Sequence, residues 1–374
     1  MKIAILTSRY PSEKNHYAHT FVHRRSKYFS EKGHDVVVFV PSKEKYCYEF
    51  EGVRVSCMPA NEISKMVIEF DLAYFHLLNI YPQPALNGFV IYKKVISCGV
   101  DVAFYIHGSE VQTLASRNFD FRITPKEIAR VIYKDIYFMP QMRWVVRKLI
   151  EGKSLFLTPS HWMLNEAKKE LKINELEAVI VPNGIDTDLF APSLSPVDNK
   201  KMLCIRPLNS NKYAVDVAID VMKFLPEEFT LDIYGKGPKV DEYRKLIENN
   251  SLENRVSILE EFIPNTKMPE VINRYTYYLS PTRMDAQGVS MCEALACGAL
   301  IATSNNTAIP EFVQDAFNGV VGDNAMNIAQ KIIELDEQPE KRALIRSNAR
   351  KSMLGISNAE VLQKEITLLE EFTK

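Results

Sequence analysis

Short runs of β-branched and aromatic residues recur along this chain, each followed by a stretch of helical character. In the first half they are KIAILT (2–7), DVVVFV (35–40), DLAYFH (71–76), DVAFYI (101–106), SLFLTP (154–159) and AVIVPN (178–183). Runs that are apolar almost without interruption suit strands covered on both faces, the situation of a parallel sheet flanked by helices. The second half repeats the pattern with MLCIR (202–206), FTLDIYG (229–235), VSILE (256–260), YYLSPT (277–282) and LIATS (300–304). Strand–helix alternation, twice over, predicts an α/β protein of two Rossmann-like, doubly wound domains. A chain of 374 residues is also long for a single core. The boundary is expected within PNGIDTDLFAPSLSPVDNKK (182–201), where prolines and polar residues cluster. In such sheets ligands bind beyond the carboxyl ends of the strands. Two domains facing each other would enclose a cleft lined by residues that directly follow strands.

Composition narrows the class. Hydrophobic residues at 46% and charged residues at 25% are ordinary globular values. No run approaches the roughly 18 apolar residues that span a bilayer. The opening MKIAILTSRYPSEK has no long apolar segment of the kind that directs export. Six cysteines are scattered without a C-x-x-C pair, which reads as buried thiols in a reducing cytosol. The expected location is therefore cytoplasmic. The net charge of −1 hides an asymmetry: residues 1–180 carry 25 Lys and Arg against 19 Asp and Glu, and the remainder 21 against 28. The basic half is expected to meet something anionic.

The most informative stretch follows YYLSPT. In RMDAQGVSMCEALACG, Gly288 permits a tight turn and a helix is expected to begin near Val289 or Ser290. The exposed N–H groups and dipole of that helix end form an anion site suited to a diphosphate. Glu293 stands about one turn in, within reach of a ribose. Asp285 precedes it by eight residues in the polar loop.

Asp285 to Glu293 resembles the E-x7-E signature of retaining nucleotide-sugar glycosyltransferases of family 4, the glycosyl transferases group 1 type, with Asp in place of the usual first Glu. EALACGALIATSNNTAIPEFV continues the likeness. Further segments match in order: YIHGSE (105–110) is similar to the family's H-G motif, VPNGIDTDLF (181–190) to its interdomain N-G-x-D…F motif, and YGKGP (234–238) to its G-x-G-P turn. The resemblance implies the GT-B fold, with 1–184 as the acceptor-side domain, 185–355 as the nucleotide-sugar domain, and a helix in 356–374 returning to the first. It implies that Asp285 lies beside the donor sugar and Glu293 holds the nucleotide ribose. The backbone of Ala286, Gln287, Gly288, Val289 and Ser290 would receive sugar hydroxyls and phosphate, with Gly235 on the same side. Arg206 and Lys212 stand where the family has its diphosphate-binding pair, although RPLNSNK has five residues between them instead of four and Ile205 replaces a glycine. Two cations suit a leaving group with two negative charges. His107 is expected to contact a sugar hydroxyl. SRYPSEKNHYAHTFVHRR (8–25) lacks the family's Gly-Gly loop and offers His16, His19, His23 and Arg24 on the acceptor side instead.

DTD (186–188) resembles a metal-binding D-x-D but lies inside the N-G-I-D motif, and no His/Cys cluster has zinc spacing, so no metal and no cofactor is expected. The segment 121–153 carries eight Lys and Arg against three acids, interleaved with Tyr133, Tyr137, Phe138 and Trp144. It reads either as a solvated helix with core aromatics or as a surface for anionic lipid, met by Arg143, Arg147 and Lys148. The reading is a retaining glycosyltransferase that moves a sugar, UDP-linked by preference and GDP-mannose next, to a glycan or lipid-linked glycan in cell-surface polysaccharide synthesis. Its work would lie at the inner face of the membrane, with no nucleic-acid partner. A nucleotide-sugar epimerase of the same fold and a non-catalytic two-lobed sugar-binding protein are the alternatives.

Overall fold

The computed structural model describes residues 1–374 apart from 14, 17, 118, 122, 195, 196 and 198. The chain divides into two compact units: Met1–Pro182 with Val361–Lys374, and Asn183–Glu360.

The first unit holds β1 (Lys2–Thr7), β2 (Asp35–Pro41), β3 (Tyr46–Phe50), β4 (Val53–Met58), β5 (Leu72–His76), β6 (Asp101–Tyr105), β7 (Ser154–Thr158) and β8 (Val179–Ile180). Their order is β3-β4-β2-β1-β5-β6-β7-β8, parallel throughout except for β3 against β4. The central strands are buried on both faces, as their continuous apolar runs require: Ile3 to Leu6 in β1 and Leu72 to Phe75 in β5 are wholly covered. The hairpin β3–β4 escapes a search for buried runs because β3 is largely exposed. Its signal is the two-residue turn Glu51-Gly52, both at positive φ (46° and 83°), which joins paired Phe50 and Val53. The helix Asn358–Phe372 enters this unit from Val361 and buries Val361, Leu362, Glu365, Ile366 and Leu369.

The second unit holds β9 (Lys201–Ile205), β10 (Thr230–Tyr234), β11 (Val256–Leu259), β12 (Tyr277–Leu279), β13 (Leu300–Ser304) and β14 (Val320–Gly322). All are parallel, in the order β11-β10-β9-β12-β13-β14. Alternate residues serve opposite cores: Met202 and Tyr277 pack with Ile219, Leu231 and Ile332, while Leu203 and Tyr278 pack with Met291, Leu295 and Ile301. Strand order reverses between β9 and β12, which makes the crevice beyond their carboxyl ends the ligand position of this unit. The N-G-I-D motif fastens the unit's two ends together. Ile185 N bonds Ile356 O at 3.0 Å and Asn358 N bonds Ile185 O at 2.8 Å. A Cβ on Gly184 would stand 2.8 Å from Asn358 Cα, so the close approach of the two segments requires glycine there.

Candidate functional site

At the switch point of the second unit, Arg206 follows β9 and is almost wholly buried. Its guanidinium reaches across to the end of β12, donating to Ser280 Oγ and, at 3.4 Å, to Ser280 O. A further 3.4 Å contact runs to Ser290 Oγ in the first turn of the helix Val289–Ala296. Its Nε has no hydrogen-bond partner among the described residues, so the group keeps donor capacity in hand. The loop that carries Arg206 is held by the G-x-G turn: Arg206 N bonds Tyr234 O at 3.0 Å and Leu208 N bonds Lys236 O at 3.0 Å. A Cβ on Gly235 would lie 1.9 Å from Arg206 O, and one on Gly237 2.1 Å from Leu208 O. Gly235 is thus a close-approach residue that sets where Arg206 stands.

Lys212 lies in a 3-10 turn, Asn211–Tyr213, whose first N–H groups are capped by Ser210 Oγ at 3.2 Å from Lys212 N. That turn takes up the five-residue spacer. Lys212 Nζ stands 5.6 Å from the Tyr213 ring centre and Arg206 Cζ 6.0 Å from the same ring, so one aromatic ring gathers both cations. Lys212 O in turn accepts from Arg283 N (2.9 Å) and Thr282 Oγ1 (3.2 Å), tying the turn to the loop after β12. Arg283 forks onto Asp216 at 2.8 and 2.6 Å.

Asp285 opens the turn into the helix, and Glu293 lies within the helix, five residues beyond Gly288. Asp285 Oδ1 accepts from Gly288 N at 2.8 Å and Gln287 N at 3.2 Å, and so shapes the turn before the helix. Aspartate has the reach for this short loop. Gly288, at φ 74°, occupies the left-handed region and precedes Val289. By helix geometry the first N–H groups beyond it have no intrahelical acceptor. The Gln287 side chain is turned away onto Asn183: its Oε1 accepts from Asn183 N (2.7 Å) and its Nε2 donates to Asn183 O (2.8 Å). Ala286 is half-buried in the same loop. Glu293 is buried in the helix beside Cys292 and Cys297. Burial, aided by this carboxylate, pushes the Cys297 thiol up to about 12.

The first unit brings together a separate group. His107 follows β6, with its Nε2 3.0 Å from Nδ1 of His76, the last residue of β5. Its backbone N donates to Glu110, its ring stacks on Tyr105 at 4.3 Å, and Phe21 lies 4.6 Å from it. His19 joins through Phe21 at 5.5 Å and bonds Thr7 Oγ1 at 2.9 Å. Burial holds both His76 and His107 well below the ordinary histidine range, and His19 is pushed down to about 4 by burial and then by Arg9. These imidazoles are neutral at physiological pH. His16 is exposed and belongs elsewhere, against Phe50 at 5.9 Å, with His23 on the same ring at 4.9 Å. Arg24 is half-buried on the helix Thr20–Glu31. His76 is the residue sequence reading passed over. Its place at the end of β5, beside β1 where strand order reverses, was the available signal.

In DTD, Asp186 Oδ1 accepts from Leu189 N at 3.0 Å and Thr187 O receives Arg350 at 2.8 Å, so the motif closes a turn. Among the described residues no three His, Cys, Asp or Glu side chains gather as metal ligands.

Residues 186–352 match the family described as Glycosyl transferases group 1. A 143-residue stretch is 27% identical to the phosphatidylinositol N-acetylglucosaminyltransferase GPI3 subunit of Saccharomyces cerevisiae, over 35% of this chain and 31% of that protein. A 274-residue stretch is 22% identical to N-acetyl-alpha-D-glucosaminyl L-malate synthase of Bacillus anthracis, over 70% of this chain and 65% of that protein. The chain therefore spans less than two thirds of the length of either relative. Anabaena HepE, solved in complex with UDP and glucose, shares the fold with a TM-score of 0.73 at 17% identity, over 99% of this chain and 100% of that one. Residues 186–352 are thus similar to the glycosyl transferases group 1 family, in a chain of the GT-B fold.

Proposed function

We propose that this protein is a retaining glycosyltransferase that moves a sugar from a nucleoside diphosphate donor, a UDP-sugar by preference, to a hydroxyl of a glycan or lipid-linked glycan in cell-surface polysaccharide synthesis. The observation that carries the reading is the gathering of Arg206 and Lys212 on Tyr213, with Arg206 also touching Ser290 at the helix end that follows Gly288. Two cations and a helix N-terminus at the switch point of a parallel sheet are what a leaving diphosphate needs. Glu293 holds the ribose, and Asp285 orders the loop beside the donor sugar. The incoming hydroxyl attacks the anomeric carbon from the face the diphosphate leaves, and its proton passes to the leaving phosphate oxygen. Arg206 and Lys212 balance the developing charge, so the reaction runs without a divalent metal. His107, neutral beside His76, contacts a sugar hydroxyl and is not a base.

Two comparisons support the donor and the stereochemistry. HepE was solved with UDP and glucose, and the Bacillus anthracis relative is named for an α-glucosaminide. UDP-sugars are themselves α-linked, so an α product means retention. The test is a thermal-shift screen of nucleotide sugars, then transfer from the stabilising donor to glycan acceptors, with the anomeric configuration of the product read by NMR. Loss of turnover in EDTA, restored by manganese or magnesium, would defeat the metal-free mechanism. An isomerised donor without acceptor would make the protein an epimerase, and binding without consumption of donor would make it a sugar-binding protein.

A further inference from the structure

The basic, aromatic segment of the first unit is one helical run: an α-helix (Pro125–Val131), a π-helix (Ile132–Phe138) and an α-helix (Met139–Glu151). Pro140 accounts for the widened turn. It has no N–H, and its ring would clash with the carbonyl of Ile136 in a regular helix. The turn before it closes instead with Met139 N bonding Lys134 O. One face is core, with Met139, Met142, Val145, Val146 and Leu149 buried. Tyr133 and Tyr137 donate to Ile80 O and Tyr81 O and belong to that packing.

The opposite face is apolar yet uncovered. Ile128, Ile132, Ile136, Pro140 and Trp144 recur every fourth residue, and all are exposed, the isoleucines by 45%, 52% and 67%. In a plain α-helix each four-residue step overshoots a full turn by about 40°, so such a set winds away around the helix. The wider π turn takes part of that rotation back and keeps the side chains in one strip. Trp144 ends the strip, its ring edge-on to Phe89 at 5.4 Å.

The charges along this helical run are biased. Glu127 pairs with Arg130, Glu151 with Lys148, and Asp135 accepts from Leu114 N and Ala115 N. Exposed Lys126 and Arg147 have no ion pair among the described residues. Arg143 is spent on Glu170 O at 3.0 Å and Lys134 on Ser109 O at 2.7 Å, while Arg122 lies outside the described residues. Of the three cations that the sequence offers to lipid, Arg143 and Lys148 already have protein partners and Arg147 has no ion pair among the described residues.

We propose that this strip docks on an anionic bilayer surface, with the isoleucines and Trp144 entering the headgroup layer and Lys126 and Arg147 meeting lipid phosphates. An exposed apolar line with an unpaired cation, Arg147, one turn from the tryptophan at its end, and Lys126 exposed at the start of the same run, fits a lipid interface on both counts, burial and charge. The proposal extends the acceptor side of the function given above. Vesicle binding is measured without donor or acceptor, so either can fail alone. The experiment is co-sedimentation of the full chain with phosphatidylcholine vesicles, with and without phosphatidylglycerol, at low and high salt. Expected is salt-sensitive binding to the anionic vesicles. Ile132→Ser with Ile136→Ser should lower the partition coefficient by on the order of tenfold or more, and Lys126→Ser with Arg147→Ser should remove the preference for anionic lipid. These positions are exposed, and unchanged thermal melts check that the variants fold. Three results would overturn the proposal: no binding by the wild type at low salt, undiminished binding by the isoleucine variant, or a wild-type dimer in sedimentation velocity that the isoleucine variant dissolves.

Discussion

Arg25 and Glu365, 340 residues apart in sequence, meet in the interior of the first unit, Arg25 Nε lying 2.9 and 3.0 Å from the two carboxylate oxygens. Both side chains are shut off from water. Tyr74 OH donates to the same carboxylate at 2.6 Å, and the guanidinium lies over the Tyr105 ring at 4.3 Å. A buried pair adds little net stability over an apolar pair, but removing one member strands the other charge at a cost of roughly 3–5 kcal/mol. Glu365→Gln is therefore expected to lower unfolding free energy by about that much. The double variant Arg25→Met with Glu365→Leu should cost much less than the two single changes combined. Urea denaturation of the wild type, Glu365→Gln, Arg25→Met, Glu365→Leu and the double variant measures this, and additive losses in the double variant would mean the two charges do not depend on each other.

The neutral histidines give the first unit an acid-sensitive stability. His19, His76 and His107 have folded values below their ordinary 6.5. Below pH 6.5 the unfolded chain binds protons that the folded chain refuses. Stability is thus full above about 6.5 and falls as pH drops, with a slope of up to about 1.4 kcal/mol per pH unit for each histidine. Between about pH 6.5 and 5 this precedes most carboxylate titration. His19→Gln should reduce the slope by one proton's worth. Denaturation midpoints that stay level across this window would show these imidazoles to be accessible to protons in the folded protein.

Much of this architecture is legible in the sequence because the deciding residues are local. Runs such as KIAILT and DLAYFH have no polar face, so only a two-sided sheet suits them, and Gly288 marks its helix by the backbone it permits. What was not legible depended on tertiary partners. The Gln287 side chain looks free beside a glycine, yet it is held by Asn183, 104 residues away. Gly235 reads as a ligand-contacting glycine, whereas the atom it admits is the Arg206 carbonyl. The π turn at Ile132–Phe138 was hidden for another reason: a sequence period of four resembles a helix period until Pro140 is given its steric effect.

Gly235 yields a direct test of how Arg206 is placed. Gly235→Ala would put a methyl group 1.9 Å from the Arg206 carbonyl oxygen, which forces the loop to move. The expected cost is about 1–3 kcal/mol in stability, together with weaker binding of UDP. Gly355→Ala, whose new methyl group would meet Ser352 O at an ordinary 3.6 Å, is the control and should change neither. Calorimetric UDP affinity equal to wild type in folded Gly235→Ala would separate the Arg206 backbone from diphosphate binding.

Asp285 and Glu293 should separate into two roles. Glu293→Gln keeps the shape but replaces a carboxylate with an amide, and is expected to weaken UDP binding by roughly 1.5–3 kcal/mol, the range for hydrogen bonds to a charged group. Asp285→Asn retains an Oδ1 that can still accept from Gly288 N, so the turn and UDP affinity should survive while turnover at saturating donor falls. Asp285→Ala removes the acceptor that now receives Gly288 N at 2.8 Å, and should lose UDP affinity as well as turnover because the helix entry is no longer set. Calorimetry with UDP and initial transfer rates on the three variants decide the matter. If Glu293→Gln folds and binds UDP like the wild type, Glu293 is a buried helix acid and the ribose is held elsewhere.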